Sequence, residues 1–239
     1  MPTTRIDTVT APDGRTFDAD VVVPDAGRGP GVLLLQEIFG VNEFLLGKAR
    51  DLAALGYVVS CPEVFHRVER GVRLPHDDDS MQAGFGYIGR YLTEVEDETK
   101  VADLLAALDH LRGLPETTGK VGVMGYCLGG LLSYLVAAYG TPDACVSYYG
   151  SSTAQRLALA DDITCPICFH FGDHDEYIPM ADVEQVRKVF DGRPDAEVHV
   201  YEGAGHAFEN LLAPRFADPA AAARSWPVTV EFLARTLRD

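Results

Sequence analysis

The chain is short of positive charge. Its 239 residues carry 20 Lys and Arg against 36 Asp and Glu, a formal net charge of −16. That balance excludes the partners that cations hold by neutralising phosphate, namely nucleic acid and the anionic membrane surface. A small anionic ligand stays possible, because one local arginine outweighs a distant field. Long apolar runs are missing too, and none approaches the roughly 20 residues that span a bilayer. The opening MPTTRIDTVT lacks the apolar core of a signal peptide, so a cytoplasmic address is expected. There is no internal repeat and no low-complexity linker. Cysteine is sparse: Cys61, Cys127, Cys145, Cys165 and Cys168. Four of these lie in or beside apolar runs and read as small buried hydrophobes. Cys165 and Cys168 have the spacing of a redox or zinc pair, yet no second ligand pair stands nearby, and structural thiols are expected. His170, His174 and the acids around them lie within and after one strand, where ligands do not converge. Neither a metal nor a cofactor is therefore expected.

What is present is regular alternation. GVLLLQE (31–37), YVVSCPE (57–63), KVGVMGY (120–126), ACVSYYG (144–150), CPICFHFGD (165–173) and AEVHVYEG (196–203) read as strands. Their nearly continuous apolar character suits a parallel sheet covered on both faces. The opening RIDTVTAPDGRTFDADVVVP reads as a hairpin turning at Pro12-Asp13-Gly14. Between the strands lie helical patterns. Asn42 is placed to cap a helix with Leu45, Ala49 and Leu52 on one face, stopped at Gly56. Val101, Leu104, Leu105, Leu108 and Leu111 repeat at helical spacing, and 227–237 reads as a last helix with Pro227 near its start. The stretch 64–92 is the least regular and reads as an excursion over the sheet. The pattern predicts one α/β domain over 1–239, with a doubly wound, mostly parallel sheet flanked by helices.

One decapeptide carries the chemistry. In VGVMGYCLGG (121–130) the residues Gly125-Tyr126-Cys127-Leu128-Gly129 match the G-x-S-x-G nucleophile elbow, with cysteine in the serine position. An elbow is a strained strand-to-helix turn, and the flanking glycines remove side chains that would strike the strand or the helix. A strand precedes it and LLSYLVAAY (131–139) can form the helix after it. A helix N-terminus there would stabilise a thiolate, and the backbone N–H of Leu128 would face a developing oxyanion. The partners follow in the order nucleophile, acid, base. FGDHDEYIP places Asp175 past one strand, 48 residues after the cysteine, and EGAGHAFEN places His206 past the next strand, 31 residues further on. Strand carboxyl ends are where open α/β sheets build their sites. Spacing alone does not choose among Asp173, Asp175 and Glu176 for the acid. Taken singly, the acids also fit a solvated loop, and the histidine fits a loop residue with one backbone bond.

QEIFGVN (36–42), VMGYCLGG (123–130), the G-x-x-D of Gly172 to Asp175 and AGH-x-F (204–208) together resemble the dienelactone hydrolase family of α/β-hydrolases. The resemblance runs from the opening hairpin to the last helix. It implies a Cys127–His206–Asp175 triad, and so selects Asp175. It also implies that Ile38 supplies a second oxyanion N–H beside that of Leu128, and that Glu37 takes part in activating the thiol. A neutral resting thiol would be protected from oxidation until substrate redirects Glu37 to accept its proton. Family members that act on dienelactone hold its carboxylate with two arginines. At the corresponding positions this chain has Asn210 and, in the irregular stretch, Phe85. Arg90, Arg67, Arg70 and Arg73 are the candidate replacements. Tyr126, Phe85, Arg90 and Asn210 make up the expected substrate-contacting set.

The expected activity is hydrolysis of an activated carboxylic ester, an enol lactone or an enol or aryl ester, through a thioester acyl-enzyme. Thiolate leaves more readily than a simple alkoxide, so a tetrahedral intermediate expels the enzyme again unless the substrate's leaving group is good. The alternatives are an acyl-transferring or redox-active thiol protein on the same fold, and a non-catalytic binding protein, which would have no need of His206 and Asp175 in order. The expected partner is a small ester or lactone, and the expected state a monomer.

Overall fold

The structure is a computed structural model that describes residues 1–238. Its strands form one eight-stranded, mostly parallel sheet in the order β1-β2-β4-β3-β5-β6-β7-β8, flanked by helices. The chain clusters into two compact units, Met1–Val121 and Gly122–Asp239.

In the first unit β1 (Thr3–Thr10) and β2 (Thr16–Val23) form the expected hairpin. Its turn closes with Gly14 N–H donating to Ala11 O, and Gly14 takes φ +86, which glycine adopts without strain. β3 (Gly29–Leu35) pairs parallel with β4 (Val58–Pro62), and the intervening α1 (Glu43–Ala54) makes the crossover. Both strands are buried throughout their apolar stretches, as strands covered on two faces must be. Asn42 caps α1 by accepting from Leu45 N–H. At the other end Gly56 N–H reaches Ala53 O and Tyr57 N–H reaches Leu52 O, a Schellman closure with Gly56 at φ +96.

The irregular excursion turns out to be half helical. After a 3-10 turn at Val64–Arg67, Asp77 accepts from Ser80 N–H and opens α2 (Asp78–Glu94). Three glycines, Gly84, Gly86 and Gly89, lower its helical propensity and hide it from a periodicity reading. Gly84 has a packing reason: a Cβ there would lie 2.9 Å from Ile38 O. α3 (Asp97–Gly113) buries Leu104, Ala107, Leu108 and Leu111, matching the expected face with Val101 and Leu105 at its margin. Buried Asp103 on α3 takes both ends of the Arg67 guanidinium at 2.5 and 2.6 Å.

β5 (Thr117–Tyr126) leads into the second unit. There α4 (Leu128–Tyr139), β6 (Cys145–Tyr148), a 3-10 segment at Ala154–Asp162, β7 (Ile167–Gly172), α5 (Met180–Phe190), β8 (Ala196–Tyr201) and α6 (Pro219–Leu237) follow. β6 and β7 are fully buried, whereas β8 is half-buried along most of its length. It is the edge strand, and the expectation of a buried strand is corrected there. The last helix also begins earlier than expected. Asp218 caps it by accepting from the N–H groups of Ala220 and Ala221, Pro219 occupies the first turn, and Pro227 lies inside it.

Candidate active site

Cys127 sits at the hinge between β5 and α4, as the N-cap of the helix. Its backbone is at φ 54, ψ −114, a region that side chains rarely enter. Neighbouring contacts enforce that turn. A Cβ on Gly125 would stand 2.2 Å from Gly129 O, and one on Gly130 would stand 2.4 Å from Tyr148 O. Only glycine lets strand and helix approach so closely. Cys127 N–H donates to Tyr148 O at 3.0 Å, which ties the elbow to β6. Gly130 N–H and Leu131 N–H donate to Cys127 O at 2.9 and 3.2 Å, and the N–H groups of Leu128 and Gly129 stand at the positive end of this 12-residue helix.

His206 and Asp175 come from two loops locked together at the carboxyl ends of β7 and β8. A Cβ on Gly172 would lie 2.2 Å from Ala204 O, and His174 N–H donates to that same oxygen at 2.9 Å. Asp173 accepts from Gly203 N–H at 2.7 Å and from His174 Nδ1 at 2.7 Å, so its Oδ1 is taken up in holding the loops. Asp175 is the acid on the histidine: its Oδ2 accepts from His206 Nδ1 at 2.7 Å. Its Oδ1 accepts from the N–H groups of Tyr177 and Ile178 at 2.8 and 3.1 Å. With Nδ1 engaged, His206 turns Nε2 toward Cys127 Sγ, 3.1 Å away. Burial alone disfavours the imidazolium, but the adjacent sulfur charge and the Asp175 hydrogen bond reverse that and carry His206 up to about 10.

The triad residues are thus brought together. The other four thiols are buried and free, and burial pushes Cys165 up to about 11 and Cys168 up to about 12, as structural cysteines require.

The expected substrate contacts fare differently. Tyr126 is fully buried, its ring packed against Tyr148 and Tyr149 at 4.8 and 6.0 Å, so it builds the core. Asn210 is also fully buried, with Oδ1 accepting from Leu212 N–H in a local turn. Neither side chain presents itself to solvent. Phe85 and Arg90 lie exposed on α2, where Arg90 pairs with Glu94. Arg67 is held by Asp103 and Asp13, Arg70 by Thr16 O, and Arg73 by Asp20 and Val41 O. Glu37 and Ile38 are buried just beyond β3.

Sequence reasoning missed two features around His206. Tyr177, 43% exposed, presents its ring edge-on to the imidazole at 4.9 Å, and Tyr149 packs at 5.2 Å. A tyrosine two residues past the acid was the available signal. The histidine loop is also anchored from within: buried Glu209 accepts from Ser225 Oγ on α6 at 2.6 Å. A cavity of about 390 Å³ opens beside His206, lined also by His174, Glu176, Arg215 and Phe216.

Comparison with known proteins decides the family. The family model for the dienelactone hydrolase family matches residues 17–237. The chain belongs to that family. It is 36% identical to a carboxymethylenebutenolidase of Pseudomonas putida over 211 residues, 88% of each chain. A carboxymethylenebutenolidase of Rhodococcus opacus is 32% identical, over 89% of this chain and 84% of that one. Among solved structures, a dienelactone hydrolase of Anabaena variabilis shares the fold at TM-score 0.73 and 16% identity, covering 99% of both chains. As a dienelactone hydrolase family member the protein is a carboxylic ester hydrolase. Among the described residues no helix is long and apolar enough to cross a membrane.

Proposed function

We propose that this dienelactone hydrolase family member cleaves enol lactones and enol or aryl esters with Cys127 as nucleophile, His206 as base and Asp175 as its orienting acid. The observation that carries the reading is the continuous contact Asp175 Oδ2–His206–Cys127 Sγ, at 2.7 and 3.1 Å. Both are within the reach a proton transfer needs.

The Cys127 sulfur attacks the carbonyl carbon, and the carbonyl oxygen becomes an oxyanion facing the Leu128 N–H at the head of α4. Collapse breaks the bond to the leaving oxygen, which takes the proton held on His206 Nε2. The thioester remains. Water then gives a proton to His206 Nε2 and attacks the thioester carbon, and departing thiolate restores the pair with imidazolium. Family resemblance adds Ile38 N–H as a second oxyanion donor and Glu37 as a group that assists removal of the thiol proton from a resting neutral Cys127 before His206 holds it. Glu37→Gln tests the latter role through the rate of acylation.

Thiolate competes with the substrate's own leaving group for expulsion, which favours enolates and phenolates. The resemblance places Asn210 where dienelactone-cleaving family members have a carboxylate-holding arginine, which supports weak binding of dienelactone. The test is hydrolysis of p-nitrophenyl acetate and of a dienelactone by wild type and Cys127→Ala. Wild-type turnover of the aryl ester, slow turnover of the dienelactone and a dead variant are expected. Unchanged hydrolysis in Cys127→Ala overturns the reading.

A further inference from the structure

A second constellation lies within the second unit, away from the triad. β7 and β8 pair in parallel with Cys168 opposite Glu197 and His170 opposite His199. Side chains two apart share a strand face, so Glu197 and His199 stand together on β8, with Cys168 beside them on β7. One donor atom from each of Cys168, Glu197 and His199 lies within 4.8 Å of the other two. Glu197 Oε2 and His199 Nε2 are 3.0 Å apart.

We infer that Cys168, Glu197 and His199 form a binding site for a zinc-type divalent cation. The donor set is sulfur, carboxylate oxygen and imidazole nitrogen, the set that a borderline-soft ion such as Zn²⁺ selects. Tetrahedral zinc at ordinary bond lengths spaces such donors about 3.3–3.6 Å apart, so the present cluster needs a closure of roughly an ångström. The side chains of Glu197 and His199 are 31% and 34% exposed, which gives the ion an entry path and leaves water its fourth position.

The surroundings already orient the donors, as outer groups do in metal sites. Arg235 of α6 binds Glu197 through Oε1 and leaves Oε2 for the ion. Behind Cys168, His170 Nε2 stands 3.3 Å from Sγ, and this buried imidazole is itself fixed by Tyr201 OH at 2.8 Å and Thr229 Oγ1 at 3.0 Å. On binding, the Cys168 thiol proton passes to solvent and the sulfur bonds the ion. Cys168 lies near the amino end of β7, whereas Asp175 follows its carboxyl end, so the ion would tie β7 to the edge strand β8 and take no part in ester cleavage.

The test is titration of Cys127→Ala protein with Co²⁺ and Zn²⁺, so that the active-site thiol contributes nothing. One equivalent of Co²⁺ should raise a near-ultraviolet thiolate-to-cobalt band, and Zn²⁺ should displace it. Cys168→Ser should abolish the band, and His199→Gln should weaken Zn²⁺ at least tenfold while leaving aryl-ester hydrolysis unchanged in an otherwise wild-type chain. No band in Cys127→Ala, a band surviving Cys168→Ser, or an unaltered affinity in His199→Gln overturns the site. His199 is half-buried on an edge strand, so its variant reads out the site even where Cys168→Ser fails to fold.

Discussion

Cys127 and His206 are 79 residues apart in the chain and 3.1 Å apart in space, sulfur to Nε2. Burial opposes the His206 charge, but the adjacent sulfur and the Asp175 carboxylate outweigh it and carry His206 up to about 10. In the unfolded chain a histidine titrates near 6.5. A folded value above the unfolded one means stability that is complete below pH 6.5 and lost as pH rises toward 10. The thermal midpoint of wild type relative to His206→Gln should therefore fall steadily between pH 6.5 and 10. A pH-independent difference would show that the resting pair is uncharged.

Asp175→Asn removes the acceptor that fixes the imidazole tautomer while keeping the side chain's shape. The expected loss is about 10³–10⁴-fold in kcat with KM little changed, the magnitude known from the corresponding change in serine triads. Stopped-flow acylation with an aryl ester separates this from a folding defect. Asp173→Asn, which affects only the loop bonds to Gly203 and His174, should leave acylation within a few-fold of wild type.

Ser225→Ala takes away the donor to buried Glu209 three residues beyond the histidine. Depriving a buried carboxylate of one partner costs about 1–3 kcal/mol. A lower denaturation midpoint is expected, together with reduced kcat at nearly constant KM, because the loop that presents His206 loosens. Ser225→Thr should restore both.

Gly130→Ala puts a Cβ 2.4 Å from Tyr148 O, against backbone that has no rotamer to yield. Overpacking of this kind costs about 1–3 kcal/mol. Chemical denaturation should reveal the loss. Gly47→Ala, on α1 with only the far end of Arg50 near its Cβ, should be neutral or stabilising.

That Cys127, Asp175 and His206 come together was legible because each sits at a local pattern: the glycine-flanked elbow, and two loops that end apolar runs. Asn42 and Gly56 were legible as the ends of α1 because capping is decided within a few residues. Spacing alone did not choose Asp175 over Asp173, since that depends on which carboxylate the locked loops turn toward His206; the family resemblance chose it. The burial of Tyr126 and Asn210 was not legible, because it is set by the packing of β5 and the histidine loop and not by the local pattern. α2 hid behind its three glycines, and the start of α6 at Pro219 was masked by Pro227, a second proline equally suited to a first turn.

The backbone of Cys127 lies at φ 54, where a non-glycine residue gives up about 1–3 kcal/mol. Glycine would occupy the same turn without strain. For a lineage drifting under selection for robustness alone, a stabilising step therefore lies at codon 127, and it erases the thiol. On the proposed reading the strain at Cys127 is the cost of holding a thiol at that turn, so relaxing the backbone and keeping the chemistry are opposed at this one position.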